Sequence, residues 1–464
     1  MSNIREVLWE AIRGEEKQYT TGSIRRAIVL LSIPMILEMA MESLFAVVDV
    51  FFVSRIGVDA VTTVGLTESV ITIVYSLAWG VAMAATAMVA RRIGEDKPEE
   101  AARAAVQSII LALSLGLVLG ISGFIFADDV LRLMGAEEEV VRSGVLYTRI
   151  SFASNVIILL LFLLNGIFRG AGDAAIAMYS LWIANAINII LDPLFIFGIG
   201  PFPEMGVAGA AVATTIGRSV GIAFQLYILF KGKSVVPIAM RHLRLHWATI
   251  KRLINVSATG AGQFIIGSAS WIFLMRIISL SGSDAVAGYT IAIRIIVFTI
   301  LPSWGLANAA ATLVGQNLGA GHPERAEASV WKAAWYNTAF LLSVSVIFIA
   351  FAPWLIRLFN QDPEVVRAGV LSLRIICTGY LFFGFGMVVT QAFNGAGDTR
   401  TPTLLNLLCF WAIEIPTGYL LAVVFDMGLP GVCWAVAGSE ALLAVFSILL
   451  FKRGNYLRCK KLQM

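Results

Sequence analysis

Between Ile24 and Phe451 the chain repeats one pattern, a long run of apolar residues followed by a short break rich in Gly, Pro or charge. Each run is far longer than the roughly 10-residue alternating strand of a membrane barrel. Runs of about 20 apolar residues cross a bilayer as helices, because only a helix satisfies every backbone group within one such segment. Twelve spans are expected, at 27–53, 61–89, 104–127, 143–167, 174–198, 206–230, 253–278, 285–313, 329–352, 368–393, 402–425 and 429–451. The fold class is therefore all-α, a polytopic membrane protein. Composition agrees: 58% of residues are hydrophobic and 14% charged, against about 25% charged in soluble domains. The segment before Ala27 is polar and charged, without the apolar core of a signal peptide.

The basic residues orient these spans. With the N-terminus inside, the inner segments carry Arg5, Arg13, Lys17, Arg25, Arg26, Arg91, Arg92, Lys97, Arg103 and Arg169. They continue with Lys231, Lys233, Arg241, Arg244, Lys251, Arg252, Arg325, Arg400, Lys452, Arg453, Arg458, Lys460 and Lys461. The outer segments carry only Arg55, Arg132, Arg142, Arg357 and Arg367. Positive residues concentrate on the cytoplasmic side, so both termini are expected in the cytoplasm of a multi-pass inner or plasma membrane protein. The longest polar interruption, 231–252, contains Pro237 and six basic residues. It reads as a linker, giving five parts: an N-terminal segment 1–26, a lobe 27–230, the linker 231–252, a lobe 253–451 and a basic tail 452–464.

The two lobes resemble each other when the numbering is shifted by 225. Asp59-Ala60-Val61 returns as Asp284-Ala285-Val286, and Gly94 and Pro98 return as Gly319 and Pro323. Gly170-Ala171-Gly172-Asp173 returns as Gly395-Ala396-Gly397-Asp398. After Asp192 the offset falls to 222, so that Gly206 and Gly209 match Gly428 and Gly431. Each lobe holds six spans, so both insert the same way up. A pseudo-twofold axis along the membrane normal is expected, as in parallel-repeat transporters. The Gly-Ala-Gly-Asp segments read as tight turns in which Asp173 or Asp398 can cap the next helix. Neither carries the Gly-Lys-Ser/Thr of a phosphate loop, and no nucleotide partner is expected.

Charges inside apolar spans are costly and usually functional. Glu38, Glu42 and Asp49 share the first span. At about 100° per residue, Glu42 and Asp49 lie roughly 40° and 20° from Glu38, on one face. Such a stripe must face the bundle interior or water. The fifth span holds Asn185, Asn188 and Asp192-Pro193. At about 1.5 Å per residue, Asp49 and Asp192 lie roughly 33 and 27 Å from the inner ends of their spans, and could meet. Two such carboxylates can hold a proton, or Na⁺ with the Asn188 amide oxygen; a structural hydrogen-bond network is the other reading. The repeat puts Leu274 opposite Asp49, Thr417 opposite Asp192 and Gln263 opposite Glu38, so the Asp pair belongs to the first lobe only.

Other charges sit within the spans. Glu68, Asn165, Asn185, Gln263 and Glu414 join Glu38 and Glu42 as candidates to line a substrate cavity. Glu414 could instead pair with Arg294 or Arg276, and Arg218 could approach Glu440, its match at offset 222. Arg149 and Arg374 recur in both repeats, which favours a scaffold role. Cys377, Cys409, Cys433 and Cys459 lack zinc or redox spacing. His242 and His246 have no Glu between them in a zinc-hydrolase arrangement, so no enzyme is expected. The basic linker lacks interleaved aromatics, and no nucleic-acid partner is expected.

Several segments resemble the multidrug and toxic compound extrusion family. They are Ser32-Ile33-Pro34, Val48-Asp49 with Phe52-Val53-Ser54-Arg55-Ile56-Gly57, and Asn165-Gly166-Ile167-Phe168-Arg169-Gly170-Ala171-Gly172-Asp173. Asn188 with Leu191-Asp192-Pro193, and Gly206-Val207-Ala208-Gly209-Ala210, extend the match across about 25–451. The pattern is similar to the DNA-damage-inducible-type branch. The resemblance implies a two-lobed antiporter, functional as a monomer among membrane lipids and without a bound cofactor. It would export cationic or amphipathic small molecules against inward H⁺ or Na⁺. It also carries the family's first-lobe cation site onto Asp49, Asn188, Asp192 and Thr214. The acidic site of another branch's second lobe has no counterpart, since 253–278 and 368–393 contain no Asp or Glu. An exporter or flippase of a polar metabolite or lipid-linked precursor is the alternative on this scaffold.

Overall fold

A computed structural model of the protein describes residues 4–14, 19–231, 234–236 and 238–454. Lys17, Lys233, Pro237, Arg458, Cys459, Lys460 and Lys461, with most of the 452–464 tail, lie outside the described residues. Within them the chain is helical, with no strand.

The chain divides into two compact units, one of Met1–Gln18 and Leu37–Ala261, the other of Tyr19–Ile36 and Gly262–Met464. The helices in chain order are α1 (Ile4–Arg13), α2 (Ile24–Ser54), α3 (Val58–Gly94), α4 (Pro98–Ile125), α5 (Ala127–Leu133) and α6 (Glu138–Ala153). Next come α7 (Asn155–Gly170), α8 (Ala174–Phe197), α9 (Val207–Phe230), α10 (Trp247–Ser279), α11 (Ser283–Gly319) and α12 (Pro323–Arg357). The last are α13 (Pro363–Thr378), α14 (Tyr380–Gly395), α15 (Arg400–Asn406), α16 (Ile415–Tyr419) and α17 (Leu429–Lys452). The division therefore falls inside α2, between Ile36 and Leu37, and inside α10, between Ala261 and Gly262. The same shift of 225 relates these two points.

The repeat governs element boundaries. Helix α3 maps onto α11, α6 onto α13 and α7 onto α14 with both ends shifted by 225, while α9 maps onto α17 with both ends shifted by 222. Nine helices among the described residues are long and apolar enough to cross a membrane. The pairs α6–α7 and α13–α14, bent by 40° and 56°, bring the number to eleven, and α2, a further helix of 31 residues, stands outside that count. Three features depart from the expected spans. The fourth and tenth are each two helices, broken at Ser154 and Gly379. The eleventh winds as a π-helix over Leu407–Glu414 and again over Leu420–Val424. The N-terminal segment contains the helix α1.

Inside the first unit, α3, α4 and α7 build a core from small residues facing large ones. Ala78, Val81, Ala82, Ala85, Ala101 and Ala105 pack with Leu159, Leu163 and Phe168. In membranes small residues permit close backbone contact. A Cβ on Gly170 would stand 2.6 Å from the Thr86 carbonyl oxygen, and one on its counterpart Gly395 would stand 2.2 Å from that of Ala311. Two residues on, the turns are left-handed at Gly172 and Gly397, with φ of 86° and 85°, as tight turns require. Asp398 caps the next helix, accepting from the Thr401 amide and hydroxyl at 3.2 and 2.6 Å. Asp173 takes the same place before α8 without a side-chain capping bond.

Candidate cation and substrate site

The acidic face of α2 lies inside the first unit, and its three carboxylates meet different partners along the helix. Nearest the division of α2, Glu38 is 1% exposed. It accepts a hydrogen bond from Asn165 Nδ2 at 2.9 Å and faces the Arg169 guanidinium at 3.5 Å. Gln225 donates to Asn165 Oδ1 at 2.6 Å, extending the network to α9. A turn further along, Glu42 faces Arg218 at 3.6 Å. Arg218 also donates to the Tyr75 hydroxyl at 3.1 Å and lies over the Phe45 ring, 5.2 Å from its centre. Asn185 donates to the Met41 carbonyl at 3.1 Å, tying α8 to α2.

The fully buried Asp192 lies within the electrostatic field of Asp49, which is 8% exposed and itself feels Arg218. Asn188 Nδ2 donates to Asp192 Oδ1 and to Thr214 Oγ1, both at 3.1 Å. That leaves Asn188 Oδ1 and Asp192 Oδ2 buried without a hydrogen-bond partner, and buried acceptors left in this way are costly. Among the described residues no group of three or more His, Cys, Asp or Glu could hold a metal ion. A monovalent cation would instead rest on a mixed oxygen set of carboxylate, amide and hydroxyl. Such a set suits a hard ion or a proton.

The remaining candidates are placed as follows. Glu68 on α3 is exposed and within the field of Asp49. Gln263 and Glu414 belong to the second unit. There Gln263 donates to Asn394 Oδ1 at 3.0 Å and to the Thr399 carbonyl at 3.1 Å. Glu414 accepts from Ser439 at 2.9 Å, and forms no ion pair with Arg294 or Arg276, both exposed.

Two arginines differ from the sequence reading. Arg169, counted there with the inner loop charges, is 4% exposed, and Arg218 is held by Glu42 and Tyr75 within its own unit. Asn165 and Arg169 stand four apart on α7, and that spacing was the available signal that both face Glu38. Tyr75 and Gln225 had no signal of their own in an apolar helix.

A family profile described as MatE matches the chain twice, over residues 34–194 and 260–420. The chain belongs to this family, that of the multidrug and toxic compound extrusion proteins. It is 27% identical to a protein named probable multidrug resistance protein NorM from Thermotoga maritima, over 93% of each chain. It is 25% identical to a protein named FAD transporter from Shewanella oneidensis, over 93% of this chain and 95% of that one. A solved structure described as the outward-facing conformation of a multidrug resistance MATE family transporter superposes with a TM-score of 0.89. It is 29% identical, over 96% of this chain and 100% of that one.

Proposed function

We propose that the protein is a secondary active antiporter that exports cationic or amphipathic organic compounds, driven by inward H⁺ or Na⁺. It acts as a carrier and not as an enzyme, with both termini in the cytoplasm. The observation that carries this reading is the pair of unpartnered buried oxygens, Asn188 Oδ1 and Asp192 Oδ2, in the field of Asp49. A cation or proton arriving there relieves the repulsion between Asp49 and Asp192 and satisfies the bare acceptors. Because that gain differs between conformations, ion binding biases the conformational equilibrium, and substrate binding is coupled to it. Glu42, Glu68, Asn165 and Asn185 are assigned polar contacts with substrate within the first unit, Glu38 acting through Asn165. Gln263 and Glu414 are assigned the same task in the second unit. The MATE relatives named for multidrug resistance support drug export.

A second reading, export of an anionic or zwitterionic metabolite, draws support from the two buried guanidiniums. Arg169 and Arg218 offset Glu38 and Glu42, so the first unit is less acidic than its carboxylates alone imply. A relative named for FAD transport fits this reading. Reconstituted vesicles separate the two. Uptake of a fluorescent organic cation under an imposed pH or Na⁺ gradient supports the first, and uptake of a flavin nucleotide in place of the cation supports the second.

A further inference from the structure

The second unit contains a groove of about 730 Å³ walled by α12, α13 and α17, lined by Arg357, Arg367, Arg374, Val370, Ile375 and Trp434. Arg367 and Arg374 are seven positions apart on α13, two helical turns, so both present to the same side. All three arginines are exposed. No carboxylate forms an ion pair with any of them among the described residues, and Asp362 is engaged in capping α13 at 2.9 and 3.4 Å. Arg374 Nε donates to the Ile349 carbonyl at 3.1 Å, which anchors that side chain in the wall.

The repeat shows how this charge came to be uncompensated. Under the shift of 225, Arg357, Arg367 and Arg374 correspond to Arg132, Arg142 and Arg149. In the first unit Arg132 pairs with Glu138 at 2.8 Å, and Arg149 with Asp128 at 2.9 Å. The positions matching Glu138 and Asp128 in the second unit are Pro363 and Pro353, both of which line the groove. Among the described residues, two of the three arginines thus have acidic partners in the first unit, and none of their counterparts has one in the second. Maintaining three cations side by side without a carboxylate is unfavourable, and guanidinium forks match phosphate oxygens in geometry.

The walls identify the source of that phosphate. Val366, Val370, Leu371 and Ile375 lie on a helix of a bent membrane-crossing pair. Trp434, 45% exposed on α17, has the amphipathic ring favoured at headgroup level. Arg357 and Arg367 flank the α12–α13 turn, where membrane helices end, and Arg374 lies two helical turns further along α13. We propose that this groove is a phospholipid site, in which Arg357, Arg367 and Arg374 hold an anionic headgroup while an acyl chain lies along Val370, Ile375 and Trp434. The occupant is a lipid of the leaflet bordering the α12–α13 turn.

The test is native mass spectrometry of the full-length protein in mild detergent, supplied with phosphatidylglycerol or phosphatidylcholine. Retention of phosphatidylglycerol at least tenfold above phosphatidylcholine is expected. Replacing Pro353→Asp together with Pro363→Glu installs the first unit's acids, removes no arginine and should abolish the preference. The triple variant R357Q/R367Q/R374Q should do the same, while R132Q/R149Q should leave it intact. Glycerol phosphate at millimolar concentration should fail to displace the lipid. Equal retention of the two lipids, an unchanged preference in the Pro353→Asp/Pro363→Glu variant, or full displacement by glycerol phosphate would each overturn the assignment.

Discussion

Glu38 and Arg169 face each other at 3.5 Å in the first unit, and their counterparts Gln263 and Asn394 meet at 3.0 Å in the second. In both units the first partner is the second residue after the point where its helix passes from one unit to the other. One scaffold position thus carries an ion pair in one repeat and a neutral amide pair in the other. Breaking a buried pair by removing one partner typically costs about 3–5 kcal/mol, because the other charge stays buried. Arg169→Asn should therefore lower the unfolding temperature sharply in detergent. The double variant E38Q/R169N, which copies the second unit's amides, should recover most of that loss. A double variant no more stable than Arg169→Asn alone would show that the two pairs are not equivalent.

The glycines that follow these partners set how closely the helices approach. Gly170→Ala and Gly395→Ala each push a methyl group onto a backbone carbonyl, at 2.6 and 2.2 Å. Overpacking of this kind costs roughly 1–3 kcal/mol, and both variants should unfold at lower temperature. Gly438→Ala on α17, where a Cβ would meet nothing within 4 Å, should behave like the unaltered protein. Thermal unfolding of the three variants checks the contrast.

Arg218 lies beside the acidic face of α2, with Glu42 at 3.6 Å and Asp49 in its field. Under the export reading, Arg218→Gln makes the surroundings of Asp49 more negative. Binding of a dicationic dye should tighten about tenfold relative to a monocationic one, a difference of about 1.4 kcal/mol. Equilibrium titration with both dyes measures it, and equal effects on the two would speak against a counter-charge role.

The fold was legible where chemistry repeats along the chain. The offset of 225, read from a few Gly, Pro and Asp positions, reappears as shared boundaries of α3 and α11, α6 and α13, and α7 and α14. The breaks at Ser154 and Gly379 were hidden because the flanking residues remain apolar enough for one span. The π-wound Leu407–Glu414 was hidden for a related reason, since an almost wholly apolar segment shows no period to read. Helix α1 is hidden because the segment before Ala27 reads only as polar and charged. In the site, the spacing of Glu38, Glu42 and Asp49 identified one face correctly, since helical periodicity alone decides it. Which side chains answer those carboxylates depends on tertiary packing. From sequence Arg169 reads as a loop charge and Arg218 as a partner for Glu440, because one chain's sequence does not report which helix packs against α2.

Gradient-driven transport in proteoliposomes, with the pH and Na⁺ gradients imposed separately, tests the central proposal most directly. The unaltered protein should accumulate a fluorescent organic cation against its gradient when one of the two ion gradients is applied. Asp49→Asn and Asp192→Asn should each still bind the dye but lose the gradient dependence, with Asn188→Ala intermediate. Gradient-driven accumulation that persists in both Asp variants would contradict the assignment of coupling to Asp49 and Asp192.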